Sequence, residues 1–121
     1  MLYFADTYAL MEFVQGNKNY DKYFTENDFI TNRLNLMELY YWTCRDVTEE
    51  KADEFFNSFL NKTVDIDDET FKKAAKFRLK HKKANISYID AIGYEIAQSK
   101  KIPFLTGDQA FKTMQNVEFV K

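Results

Sequence analysis

The chain has 121 residues, 45% hydrophobic and 17% aromatic, with 17 basic against 19 acidic side chains and a formal net charge of −2. That length predicts a single domain, residues 1–121, and that apolar content excludes a disordered chain. The near-balance of charge excludes a uniformly basic nucleic-acid binder, and a lone cysteine and a lone histidine, Cys44 and His81, exclude an intrachain disulfide and a Cys/His zinc cluster.

In chain order, LYFA (2–5) is an apolar run that suits a buried strand. Asp6 follows it directly, and a helical pattern runs from Thr7 to about Val14, closed by Gly16 and Asn17. No basic n-region precedes the run and no segment has the length of a membrane span, so the expected setting is cytoplasmic, without export or membrane insertion. A second short helix is expected over 18–25, carrying Tyr20, Tyr23 and Phe24, then a strand at 29–31 (FIT). The next helix, 35–44, sets Leu36, Leu39 and Tyr40 on one stripe and carries Glu38 among Leu34, Tyr41 and Trp42.

Thr48 suits an N-cap, with Glu49 and Glu50 at the positive end of the helix dipole, and the helix it opens aligns Ala52, Phe55, Phe56, Phe59 and Leu60. TVDI (63–66) reads as a third strand, and residues 67–69 lead into a basic helix over about 70–83. Ser87 opens another helix through Ile89, Ile92, Gly93 and Ile96 to about Lys100. Pro103 starts a fourth strand, FLT, which ends in Thr106-Gly107-Asp108; a short helix follows, and VEFV (117–120) reads as a last strand.

Strands alternating with helices predict an α/β fold, a three-layer α/β/α sandwich on a mostly parallel sheet of four to five strands. The working crevice of such a sheet lies at the carboxyl ends of its strands, where strand order reverses. Asp6 ends the first strand there, and Thr106 and Asp108 end the fourth. Asp90, in the first turn of the helix opened by Ser87, reaches the same edge if that helix runs antiparallel to the following strand. Singly, each acid has a plainer reading: Asp6 and Asp108 as helix caps, Ser87-x-x-Asp90 as a capping box, Glu38 as a solvated helix residue. As a set they argue differently, because four carboxylates about 6 Å apart repel by roughly 3 kcal/mol per pair at an effective dielectric of 20. Bound cations or raised pKa values make such a cluster tolerable. Oxygen-only ligands suit Mg²⁺ or Mn²⁺, and the chemistry they suggest is metal-assisted phosphodiester hydrolysis.

FADTYALM around Asp6, NLMELYYW around Glu38, SYIDAIGYEIAQ around Asp90 and PFLTGDQAF around Thr106 and Asp108 resemble, in order and spacing, the four blocks of PIN domains. The nearest likeness is to the small VapC-type ribonucleases of toxin–antitoxin pairs, and it covers nearly the whole chain. Each block is little more than one acid in an apolar frame, so the specificity comes from their order and the βα rhythm. The resemblance implies a Mg²⁺- or Mn²⁺-dependent endoribonuclease acting on RNA, frequent formation of a homodimer, and inhibition by a small antitoxin protein. By position Asp6, Glu38 and Asp90 match the three acids of the family's metal site, Asp108 the variable fourth, and Thr106 a Ser/Thr that orients a carboxylate or water. On this reading Asp6 and Asp90 hold an ion that activates a water, Glu38 and Asp108 complete the coordination or hold metal-bound waters, and either a second ion completed by substrate phosphate steadies the leaving oxygen or one ion suffices. Two departures are Tyr8, where a small residue is common, and the start of the third block at Ile86-Ser87-Tyr88.

Other features read more plainly. KFRLKHKK (76–83) has the look of a nucleic-acid patch, yet cations at a helix C-terminus answer the dipole, and His81 reads as a surface residue. DIDDE (65–69) reads as caps rather than a second metal site, and Tyr40, Tyr41 and Trp42 as core or interface rather than base-stacking groups. A receiver-like domain lacks its second acid beside Asp6 and its lysine after the last strand, and a haloacid-dehalogenase-like phosphatase lacks its Asp-x-Asp. The remaining alternative is a catalytically idle PIN module that binds RNA or a protein partner.

Overall fold

The computed structural model describes residues 1–121. Four short strands, β1 (Leu2–Ala5), β2 (Asp28–Ile30), β3 (Phe104–Thr106) and β4 (Val117–Phe119), form one sheet in the order β2-β1-β3-β4. Every pairing is parallel. Parallel strands need crossovers, supplied by α1 (Thr7–Val14), α2 (Asp21–Thr25), α3 (Arg33–Asp46), α4 (Glu49–Phe59), α5 (Asp68–Lys80) and α6 (Tyr88–Lys100). No helix is long and apolar enough to cross a membrane.

Alternation along the strands divides the core into two layers. Tyr3, Ala5 and Leu105 face a cluster with Leu10, Tyr20, Leu36, Leu39 and Phe59, under α1 to α4. Phe4 and Phe104 face the other side, against Ala74, Ile92, Ile96 and Phe111. Both faces of the sheet are thereby covered, the α/β/α sandwich expected of short, wholly apolar parallel strands. Gly93 lets α6 approach closely: a Cβ there would lie 2.8 Å from the Phe4 ring and 3.3 Å from that of Phe104.

Four expectations are corrected or refined. TVDI is not a strand: only Thr63 pairs, in a single parallel bridge to Thr31. Its would-be partner ends too soon, because Asn32 turns the chain away to cap α3 with its side chain, on the Asn35 N–H. The basic helix ends at Lys80, leaving Lys82 and Lys83 in the turn beyond, and the helix expected after Asp108 is one 3₁₀ turn, Gln109–Phe111. His81 is half-buried, its ring 4.5 Å from that of Phe77.

The strand order fixes where a site can form. From β1 the chain moves to β2 on one side and returns to β3 on the other, so the order reverses between β1 and β3. These strands are joined where the Asp6 N–H donates to the Leu105 carbonyl at 3.2 Å.

Candidate functional site

At that reversal the side chains turn polar. The buried polar residues are Asp6, Thr31, Asn32, Asn35, Thr43, Thr70 and Thr106, and only Thr43 and Thr70 lie away from the carboxyl ends of β1 to β3 and the start of α3. Asp6 is 2% exposed. It caps α1, its Oδ1 accepting from the Ala9 N–H at 2.8 Å. Burial, the largest influence, pushes its carboxyl up to about 8; the facing Thr106 hydroxyl and the Ala9 N–H pull it down, and Asp90 and Asp108 push it up.

Asp90 reaches the same place because α6 runs back along the sheet with its N-terminus at the carboxyl ends of the strands. Ser87 and Asp90 form a reciprocal capping box, each side chain accepting from the other's backbone N–H at 3.0 Å. Burial raises the Asp90 carboxyl, Ser87 lowers it, and Asp108 raises it further. Asp108 caps the 3₁₀ turn through Oδ1 on the Ala110 N–H, and its own N–H donates to Thr106 Oγ1, each at 3.0 Å. Gly107 between them has no room for a side chain: a Cβ would lie 2.2 Å from the Tyr8 ring and 2.4 Å from the Val120 carbonyl. A bulky Tyr8 is accommodated because residue 107 is glycine.

Glu38 is half-buried on α3. Burial raises its carboxyl, a hydrogen bond from Thr7 lowers it, and Asp90 raises it. That bond, Thr7 Oγ1 to Glu38 Oε1, measures 2.5 Å, and Asn35 Nδ2 donates to the same hydroxyl at 3.0 Å. Glu38 thus joins the group from the other side of Asp6, through the residue that follows it. A groove of about 510 Å³ opens against Thr7 and Glu38, walled by Met11, Met37, Trp42 and Ile89. A larger hollow, about 680 Å³, lies between the end of α5 and Thr113–Gln115 and touches none of these acids.

Sequence reading named the acids and Thr106 but overlooked Thr7, Asn32 and Asn35. Asn32-x-x-Asn35 is the one signal available, a cap pattern immediately after a strand. Asn32 Nδ2 and Asn35 Oδ1 are buried without a hydrogen-bond partner, an arrangement that costs about 1–3 kcal/mol per group.

The donor set suits a hard divalent cation. None of Asp6, Glu38, Asp90 and Asp108 takes part in the chain's ion pairs. Each carboxylate accepts a protein hydrogen bond on one oxygen. No three of them converge on a single point. Mg²⁺ keeps several waters and takes one or two carboxylates rather than a closed protein cage.

The PIN domain family model matches residues 3–117. Among solved structures, the fold resembles VapC20 of Mycobacterium tuberculosis, described as a Sarcin-Ricin loop cleaving toxin, with TM-score 0.83 and 16% identity over 96% of this chain and 97% of that one. A toxin–antitoxin complex from Klebsiella pneumoniae gives TM-score 0.76 and 16% identity over 96% and 95% of the two chains. VapBC2 of Rickettsia felis, bound to a DNA fragment from its promoter, gives 0.73 and 16% over 99% and 98%. No curated protein matches the sequence significantly. At these identities the structures speak for the fold; the family match, over nearly the whole chain and across all four acids, establishes that the chain belongs to the PIN domain family.

Proposed function

We propose that the chain is a VapC-type endoribonuclease that hydrolyses RNA phosphodiester bonds with Mg²⁺ or Mn²⁺. The observation that carries this reading is an un-neutralised acid group, with Asp6 buried and Glu38, Asp90 and Asp108 half-buried, at the point where strand order reverses. Asp6 and Asp90 would hold the ion, with Glu38 and Asp108 completing its shell or holding its waters. When bound, such an ion supplies an activated water at neutral pH and balances charge developing on phosphate.

The chain's own residues act before any substrate arrives. The α1 cap fixes the Asp6 carboxylate, the α6 capping box fixes Asp90, and Thr7 fixes Glu38, so little reorganisation is left for the reaction. Thr106 orients two acids, facing the Asp6 carboxylate while accepting from the Asp108 N–H. With this reading come a cytoplasmic setting, a small antitoxin partner and a homodimer.

The test is cleavage of a mixed single-stranded RNA pool by purified protein with Mn²⁺, with Mg²⁺ and with chelator, beside folded Asp6→Asn and Asp90→Asn proteins. Metal-dependent cleavage lost in both variants is the expected result. Cleavage that persists in both overturns the site, and metal binding by an inactive wild type supports the idle module instead.

A further inference from the structure

Residues 76–83 carry cations that the acid site does not use. The helix dipole accounts for Arg78 and Lys80, in the last turn of α5, but not for Lys82 and Lys83 beyond it. None of Lys76, Arg78, Lys80, Lys82 and Lys83 holds an acid, which is equally true of most other basic residues of the chain; what sets this run apart is that its five cations fall within eight residues. The unpaired run leads through the turn into Ser87, the cap of the helix that carries Asp90. Arg78 ties the two together: its Nε donates to the Ile86 carbonyl at 3.0 Å, and its guanidinium lies 4.2 Å from the centroid of the Tyr88 ring. Tyr88, the first residue of α6 and two positions before Asp90, is 62% exposed.

An aromatic ring left in water against an unpaired guanidinium, in the first turn of the helix that carries Asp90 and a few residues after a run of lysines, has the features of a single-strand binding surface. We propose that Arg78 and Tyr88, with Lys82 and Lys83, form a platform for an unpaired stretch of RNA adjoining the acid site. This rests on the ribonuclease reading above. Tyr88 stacks one base while the guanidinium keeps its place against the ring, and the remaining Arg78 donors and the two lysines meet phosphates. The charge pattern is complementary to a polyanion that must approach carboxylates: cations hold the strand at the rim, where the acids alone would repel it. An acidic protein segment would answer the lysines but leave the exposed ring without a matching partner, which favours RNA.

The experiment is binding of a fluorescein-labelled 12-nucleotide single-stranded RNA in chelator, read by anisotropy across a KCl series. Tyr88→Ala is expected to raise Kd about tenfold, within the range of one lost base stack. Tyr88→Phe should stay within about twofold of wild type, and Tyr88→Leu should behave like the alanine variant. Lys82→Gln with Lys83→Gln should flatten the slope of log Kd against log salt by about 1.4, two phosphates at roughly 0.7 each. These lysines make no hydrogen bond or ion pair through their side chains, so Tm should hold even where Arg78→Gln loosens the turn. An unchanged Kd in Tyr88→Ala, a loss in Tyr88→Phe as large as in Tyr88→Ala, or equal competition by duplex RNA or polyglutamate overturns the platform. A wild type that binds through Tyr88 yet cleaves no RNA overturns the ribonuclease reading and leaves the platform standing. A wild type that cleaves, with Kd and KM unmoved in Tyr88→Ala, overturns the platform alone.

Discussion

Asp6 and Asp67 occupy the same local position. Each has extended backbone before a helix, and each accepts a backbone N–H three residues ahead at 2.8 Å, from Ala9 and from Thr70. Their carboxyls nevertheless move in opposite directions. The hydroxyl and N–H of Thr70 hold Asp67 below its ordinary value, whereas burial pushes Asp6 up to about 8, with Asp90 and Asp108 adding to the rise. The neighbours of Asp67 complete the contrast: Asp65 faces Arg33 at 3.7 Å and Glu69 faces Lys72 at 3.6 Å, in water. A cap is a local property legible from three residues. What separates a structural cap from a candidate ligand is the sheet beneath it and the sign of the charges around it.

The sharpest way to break this contrast is a pair of isosteric changes. Asp6→Asn keeps the cap oxygen and removes the charge, and is expected to lower kcat for RNA cleavage by about 10³-fold, several kcal/mol of lost transition-state stabilisation. Asp67→Asn should leave kcat within about twofold. If the two variants cleave alike, burial and acidic neighbours do not mark the site. The next effect belongs to Thr7, which holds Glu38. Thr7→Val removes the hydroxyl at nearly constant volume and should cost about 10–100-fold in kcat or metal affinity, the usual consequence of losing a group that orients a ligand. Thr7→Ser should restore most of it, and a Thr7→Ser protein as poor as Thr7→Val would reduce Thr7 to packing.

Apolar runs that end in an acid made β1 and β3 legible, and with them Asp6, Thr106 and Asp108, because a short buried parallel strand has few other places to put a polar residue. Asp90 was legible as a cap and, through the antiparallel return of α6, as a neighbour of Asp6. Thr7 was not, since its partner Glu38 lies 31 residues away and no local pattern pairs them. TVDI misled because alternation records which side chains face inward but not whether a partner strand is long enough to pair with. The end of the basic helix was missed for a related reason: charge and hydropathy continue smoothly through Lys83, while the chain turns at residues 81–84 and reaches positive φ at Asn85. What the sequence left hidden is contact between distant segments, the part of the site that makes the acids a group.

The smallest expected effect is thermal, and its sign is set by the same two aspartates. Asp6 has a folded pKa above its unfolded value of 3.8, so the fold favours its protonated form. Its contribution to stability is full below 3.8 and is lost as pH rises toward about 8, and Glu38 and Asp90, also raised, act in the same direction. Asp6→Asn has no proton to lose. Measured in chelator, its Tm should exceed that of wild type by at least about 4 °C at pH 8, equivalent to about 1 kcal/mol for a domain of this size, with the gap closing near pH 4. Asp67 works the other way, its contribution present above 3.8 and lost as pH falls below it, so Asp67→Asn should lower Tm at neutral pH and converge on wild type in acid. Adding Mn²⁺ at pH 8 then tests the cause. An ion bound only by the native acids raises the wild-type Tm by mass action and narrows the gap to Asp6→Asn, which lacks the ligand. A gap that ignores Mn²⁺ would mean that the acids repel one another without holding a metal, and would return Asp6 and Asp108 to the plain helix caps that they also form.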